Sequence, residues 1–191
     1  AINLAMVVVM VMRGVTNPTV LTMAWNGVAL TRIRHANNND VSIEHWYILN
    51  PSAGVFNLDY DLGAVVTSYT QEIIQVRDFG VIGAQADASG SGAGSPLVNL
   101  SPTQGGGTIL DTVNLTNAVA YTRNAGQGFI DFDTVGLTTG FCELSVKLSE
   151  SDGTTPMGGT IAAGAGDWIY TAVEFSPGPL RTFRLPGVAY P

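Results

Sequence analysis

Side-chain polarity alternates with a period of two residues along most of this chain, and no other feature constrains the fold as strongly. In residues 54–63, GVFNLDYDLG, apolar side chains occupy every second position and Asn or Asp residues stand between them. Successive side chains of a strand point to opposite faces, so this pattern predicts a half-buried β-strand. We find no stretch of 3.6-residue periodicity with helix caps. The pattern therefore indicates an all-β protein.

Two N-terminal segments predict strands of different kinds. Residues 4–12, LAMVVVMVM, are continuously apolar, which is typical of a strand covered on both faces. Residues 20–34, VLTMAWNGVALTRIR, place Asn26-Gly27 between two apolar arms, and this dipeptide favours a type I′ hairpin turn. Further strands are predicted at residues 41–49, 71–77, 107–116, 127–132, 140–149 and 167–175.

Eight to ten short strands without helices predict an antiparallel β-sandwich, and a jelly roll is the form that we expect. No internal repeat is evident. The segment ASGSGAGSP, residues 88–96, is interpreted as a loop between strands, since the strands on either side are too few for two separate cores. We therefore expect a single β-sandwich domain over residues 1–176.

The C-terminal residues 177–191 are rich in proline and are expected to form an extended arm. Proline cannot donate a backbone hydrogen bond, so the arm is unsuited to a central strand. It also carries apolar and basic side chains on a chain of net charge −7, which suits contact with an acidic neighbouring subunit. The interface residues predicted on this basis are Arg181, Phe183, Arg184, Leu185 and Tyr190.

Charge and cysteine content exclude several classes of protein. Fifteen acidic residues face eight basic ones, so there is no basic stripe to bind nucleic acid. The nine apolar residues 4–12 are too few to span a bilayer, and no membrane association is expected. Cys142 is the single cysteine, which excludes an internal disulfide and a cysteine-based zinc cluster. We interpret it as a small buried hydrophobic residue.

Residues suited to catalysis are sparse. His35 and His45 lie in no recognisable metal or nucleophile motif, and no cofactor motif is found. Asp59 with Asp61, and Asp131 with Asp133, could bind Ca²⁺ or act as an acid and base, but acids two residues apart are also typical of a solvent-facing strand. We favour that structural interpretation. The three tryptophans are predicted to lie in the core, the alternative being a platform for stacking sugars.

Several motifs together resemble a β-sandwich module of bacteriophage structural proteins and bacterial surface proteins. They are AWNGVALTRI (24–33), IEHWYILNPSAG (43–54), NLDYDL (57–62), IIQVRDFGVIGAQADASGSG (73–92) and GDWIYTAVEFSP (166–177). In that module a YGGxxLT hairpin, an ExWYLxNPPAG strand and turn, and an SFSGVD segment recur in the same order. Here Asn26-Gly27 replaces the double glycine, Ser52 replaces the second proline, and RDFG (77–80) replaces SGVD.

The resemblance implies a non-enzymatic structural protein of a virion, with no catalytic residue to carry over. A capsid decoration (cement) protein, or a tail or fibre component of a bacteriophage, is the function expected. Its partners would be a major capsid or tail protein and further copies of itself, with a trimer as the first guess, at the virion surface. The alternative is a carbohydrate-binding or adhesive module of a secreted or cell-surface protein, with a cell-surface glycan as its ligand.

Overall fold

The structure is a computed structural model, and it describes residues 3–63, 66–103, 107–133, 141–148 and 154–178. These residues form fifteen β-strands and no helix, and all paired strands run antiparallel. The all-β, antiparallel class predicted from the alternation is confirmed. The strands are β1 (Leu4–Gly14), β2 (Val20–Trp25), β3 (Val28–Ala29), β4 (Thr31–Asn38), β5 (Val41–Leu49), β6 (Leu58–Leu62), β7 (Val66–Arg77), β8 (Phe79–Ser91), β9 (Leu97–Leu100), β10 (Thr108–Leu115), β11 (Tyr121–Arg123), β12 (Gly128–Asp133), β13 (Phe141–Leu148), β14 (Thr155–Ile161) and β15 (Asp167–Pro177).

The strands form four sheets. Sheet I has the order β4-β5-β1-β7, and sheet II has the order β12-β13-β10-β15-β8. Two smaller sheets, III and IV, have the orders β3-β2-β6 and β11-β14-β9. The described chain thus holds more strands than the eight to ten predicted. The strands that sequence analysis missed are too short to show alternation, as in β9 and β11, or lie in a glycine-rich stretch, as in β8.

β1 explains how the sheets stack, because both of its faces are buried. Its valines, Val7, Val9 and Val11, pack against residues of sheet II, whereas Met6, Met10 and Met12 pack against sheet III. A third core, which includes Trp168 and Met157, lies between sheets II and IV. The protein is therefore a stack in the order III, I, II, IV, and the prediction that residues 4–12 form a strand covered on both sides is confirmed.

Sheets I and II share one pattern of strand connectivity, which therefore occurs twice in the chain. The order β4-β5-β1-β7 corresponds to β12-β13-β10-β15, and the pair β2-β6 corresponds to β11-β14. The register agrees as well: Val9 lies opposite His45 and Glu72, and a shift of 101 residues brings Leu110 opposite Val146 and Val173. The residues at these positions differ in type. The sequence accordingly shows no internal repeat where the backbone does.

Polar contacts hold sheets I and II together at one edge and near the centre. The side-chain amide of Asn38 donates to the carbonyls of Gly90 (2.7 Å) and Trp168 (3.1 Å), and Arg34 forms an ion pair with Asp87. In the interior, the amide of Asn114 donates to the carbonyl of Met12 at 3.0 Å. Each of these contacts joins sheet I to sheet II, so the two sheets share polar contacts as well as one core.

Glycines of the stretch predicted to be a loop make room for a tryptophan. β8 extends to Ser91, and a Cβ atom added at Gly90 would lie 2.4 Å from the Trp168 indole, or 2.9 Å at Gly94. Such distances are far inside van der Waals contact, so a larger residue would displace the indole. Gly90 and Gly94 are thus needed for packing, and the interpretation of residues 88–96 as a loop was wrong for residues 88–91.

Candidate functional site

A cavity of about 300 Å³ lies on the surface where the β2–β3 hairpin meets the chain entering β6. It is lined by Asn26, Gly27, Val55, Phe56, Asn57 and Asp59. Asn26 and Gly27 both have positive φ, 49° and 73°, as a type I′ turn requires, so the hairpin predicted from the Asn-Gly dipeptide is confirmed. The turn lies beside the segment before β6, whose Asn57 carbonyl accepts the Asn26 backbone N–H at 3.4 Å.

Phe56 of the cavity lining forms an aromatic pair with Trp25. Trp25 and Phe56 contact each other edge to face, with ring centroids 5.9 Å apart, and the Trp25 indole N–H donates to the Ser52 carbonyl at 3.4 Å. The cavity therefore combines two amides, one carboxylate and an aromatic ring. Such a set can hydrogen-bond to hydroxyl groups and offer an apolar surface to a ring. Of the two acids predicted on this strand, Asp59 lines the cavity and Asp61 does not.

Glu44 lies on β5 in the fully buried core between sheets I and III. Its carboxylate accepts hydrogen bonds from the Thr19 hydroxyl (2.6 Å), the Val20 backbone N–H (2.9 Å) and the Trp46 indole (2.8 Å). Arg32 lies 3.8 Å away. Glu44 thus binds a backbone amide and lies beside an arginine. Its role is to fix the start of β2 onto β5.

Sequence analysis missed a second buried acid, Asp111 on β10. The hydroxyl of Tyr170 (2.6 Å), the amide of Gln127 (2.7 Å) and the hydroxyl of Ser145 all donate to its carboxyl group. Gln127 in turn accepts the backbone N–H of Gly158 on β14 at 3.1 Å, so the network ties sheet IV to sheet II. The signal in the sequence was a single acid within the otherwise buried strand TILDTVNL.

Burial dominates the electrostatics of this Asp111 network. Desolvation raises the pKa of the Asp111 carboxyl above its ordinary value, although the hydrogen bonds from Ser145 and Tyr170 oppose the shift. Burial and the neighbouring Asp111 raise the pKa of the Tyr170 phenol well above 10.0. Beside the network, Arg123 pairs with Glu143 at 2.9 Å. A tyrosine with a raised pKa is a hydrogen-bond donor at neutral pH, and the arrangement is that of a structural network.

Glu174 is the third fully buried acid. Its carboxylate accepts the backbone N–H groups of Ala84 (2.9 Å) and Thr103 (2.8 Å), and the Ser176 hydroxyl donates to it at 3.0 Å. Gly83 makes the space, since a Cβ there would lie 2.1 Å from the carboxylate oxygen. Glu174 therefore fastens β8 and the residues after β9 to β15.

The two histidines lie on opposite faces of sheet I. His45 is opposite Val9 and fully buried in the central core, and neither ring nitrogen has a hydrogen-bond partner among the described residues. Burial, together with the charge of Arg34, lowers its pKa to about 3. His35 lies opposite Glu44, with its Nε2 3.9 Å from the Glu44 carboxylate. The sheet between them prevents the two rings from acting on one substrate.

His45 should make the protein less stable in mild acid. Its pKa rises from about 3 in the folded state to about 6.5 on unfolding, so protons favour the unfolded state as the pH falls below 6.5. We expect His45 to account for a loss of about 2 kcal/mol in the free energy of unfolding between pH 7.5 and pH 5. Urea denaturation of the wild type and His45→Gln at both pH values measures this. An equal pH dependence in the two proteins would contradict it.

The predicted interface residues Arg181, Phe183, Arg184, Leu185 and Tyr190 lie outside the described residues, as do the side chains of Asp131 and Asp133. The described residues contain no group of three or more His, Cys, Asp or Glu side chains placed to hold a metal ion. They also contain no helix long and apolar enough to cross a membrane. Cys142 is buried in the central core, as predicted.

Comparison with known proteins does not assign a function to this chain. No protein-family model, no curated protein and no solved structure matches the chain.

Proposed function

We propose that this protein is a non-enzymatic structural protein of a bacteriophage virion, either a capsid decoration (cement) protein or a tail or fibre component. The observation that carries the proposal is the use of its buried acids. Glu44, Asp111 and Glu174 each accept three hydrogen bonds from groups that hold strands together. The buried carboxylates thus stabilise the fold.

The surroundings of the histidines support the same proposal. His45 has its imidazole in the central core, away from solvent and from the carboxylates of the surface. Asp59 and Asp61 are exposed on sheet III, which lies on the other side of sheet I from that core. A general base must lie within hydrogen-bond reach of the proton that it removes. These residues do not form an acid and base around one point, whereas a stack of antiparallel sheets suits a structural protein.

Co-sedimentation tests the proposal. Purified protein is mixed with empty phage capsids and, separately, with isolated tails, and the bound fraction is measured against an unrelated acidic β-sandwich protein of similar size. Saturable binding to one of the two particles is expected. Failure to bind either would overturn the assignment, because a decoration, tail or fibre component must attach to its particle.

Glycan binding is a second candidate function, and the cavity beside the β2–β3 hairpin favours it. The amides of Asn26 and Asn57, the Asp59 carboxylate and the Phe56 ring line one shallow site, a combination suited to sugar hydroxyls and a sugar ring face. An adhesive module would use such a site at the cell surface. It would place the protein outside the cell rather than on a virion.

Asn57→Ala tests this site on a glycan array. If the cavity binds a sugar, losing one amide should weaken binding about tenfold, which corresponds to about 1.4 kcal/mol. Asp61→Ala is the matched control, because Asp61 is exposed on the neighbouring strand β6 but does not line the cavity. Wild-type protein that binds no glycan, or binding that Asn57→Ala leaves unchanged, would exclude the cavity as a sugar site.

A further inference from the structure

Two tyrosines on consecutive strands of different sheets contact each other. Tyr60 lies on β6 of sheet III, and Tyr69 lies on β7 of sheet I, nine residues further along the chain. The Tyr60 hydroxyl donates a hydrogen bond to the Tyr69 hydroxyl at 2.7 Å. The ring centroids are 5.7 Å apart, and the ring planes meet at 76°. The two phenol groups are therefore within reach of each other without any movement of the backbone.

Strand pairing fixes both backbones. Tyr60 is opposite Met23 on β2, and its half-buried ring packs against the core between sheets I and III. Tyr69 is opposite Met12 on β1, the strand whose two faces are both buried. Burial raises the pKa of Tyr60 to about 12, and the hydrogen bond with Tyr69 and the charge of Tyr69 add to the shift. Tyr60 therefore stays a hydrogen-bond donor at neutral pH, which keeps the two hydroxyls in contact.

The pair is also open to solvent. Tyr69 is 38% exposed, whereas Met12 and Met23, the sulfur-containing residues opposite the two tyrosines, are buried. Cys142 is buried as well. Since oxidation follows exposure, an oxidant in solution reaches the phenols more readily than these sulfur atoms.

The other tyrosines among the described residues are less suited to coupling. Tyr170 is fully buried, and the Tyr121 hydroxyl is buried. Tyr47 contacts the ring of Phe79, which has no hydroxyl group. In the part of the chain that the structure describes, the pair on β6 and β7 combines solvent exposure with direct contact between two phenols.

We propose that Tyr60 and Tyr69 form a site of oxidative cross-linking, at which a haem peroxidase and hydrogen peroxide join the two rings as dityrosine within one chain. Each phenol loses one electron and one proton, and the two radicals form a carbon–carbon bond between their ortho positions. The two hydrogens on these carbons then move to the oxygens and restore the phenols. The two electrons and two protons convert one molecule of hydrogen peroxide into two molecules of water.

Coupling within one chain is favoured because the two rings are already in contact. Holding two reacting groups together replaces an encounter between molecules by a step inside one molecule, and effective concentrations of well-oriented groups reach about 10⁵ M or more. Protein solutions are far more dilute than this. The product links β6 of sheet III covalently to β7 of sheet I, in a chain whose single cysteine excludes an internal disulfide.

Peroxidase treatment of the full chain tests the site. The protein is incubated with a haem peroxidase and hydrogen peroxide, and monomers are separated from dimers by denaturing electrophoresis. Digestion before aspartate and after arginine cleaves between Tyr60 and Asp61, so an unmodified chain yields residues 59–60 and 61–77 as separate peptides. In most monomers that contain dityrosine, we expect mass spectrometry to find these two peptides joined, two hydrogens lighter than their sum.

Two phenylalanine variants complete the test, and both should fold because each keeps an aromatic ring. Tyr69→Phe removes one phenol of the pair and should abolish the joined peptide together with the dityrosine fluorescence of the monomer. Tyr47→Phe is the matched control, because it removes a phenol whose ring contacts Phe79, and the joined peptide should persist. Dityrosine confined to dimers, monomers in which residues 59–60 and 61–77 stay separate, or an equal yield in Tyr69→Phe would overturn the proposal.

Discussion

Trp46→Ala should lower the free energy of unfolding by about 3–5 kcal/mol, the range for a large aromatic residue in a packed interior. Trp46 is 5% exposed in the core between sheets I and III, and its indole N–H is one of three donors to Glu44. The Arg32 guanidinium also lies 5.4 Å from the ring centroid. The substitution leaves a cavity and removes a hydrogen bond from a buried carboxylate. Urea denaturation at pH 7.5 measures the loss.

Trp25→Ala is the matched control for Trp46→Ala. Trp25 is half-buried and contacts Phe56 at the C-terminal end of β2, so its loss should cost less than half as much. The same two variants separate core packing from sugar stacking, since a stacking platform loses ligand affinity with little change in stability. A stable Trp46→Ala protein would contradict the burial of this indole.

Asp111→Ala is expected to cost a similar amount, about 3–5 kcal/mol, for a different reason. The hydroxyls of Tyr170 and Ser145 and the amide of Gln127 all lose their common acceptor. A buried donor left without a partner costs about 1–3 kcal/mol, and the losses within one network do not add fully. Because Gln127 also holds Gly158, we expect faster amide exchange in β14 as well as a lower melting temperature.

Asp59→Ala provides the control for Asp111→Ala. Asp59 is exposed on β6, and surface substitutions of this kind usually change stability by less than about 0.5 kcal/mol. If Asp111→Ala and Asp59→Ala unfolded at the same urea concentration, the Asp111 network would not stabilise the fold.

The local structure followed from local sequence. Residues 4–12 could be assigned to a doubly covered strand because each side chain is apolar, and Asn26-Gly27 could be assigned to a hairpin because both residues tolerate positive φ. The burial of Trp46 and Cys142 followed in the same way from their apolar neighbours. In each case the physical cause lies within a few residues of the effect.

The partners of the polar residues could not be predicted, because they come from distant parts of the chain. Asp111 receives hydrogen bonds from residues 127, 145 and 170, which are brought together only when three strands and a loop have assembled. The glycines at 90 and 94 suggested a loop because their packing partner, Trp168, lies more than 70 residues away. The repeated connectivity was hidden for a related reason: pairing depends on backbone groups, which all residue types share.

During translation, β8 is made long before β15, the strand with which it pairs. Sheet I has its four described strands once Arg77 has been made, whereas β8 pairs with β15, and Ser91 precedes its partner Asp167 by 76 residues. At about 5–20 residues per second, a nascent chain spends about 4–15 s with β8 made and its partner absent. During that interval the alternating apolar side of β8 is a natural substrate for a chaperone, and sheet II can close only after β15 has been made.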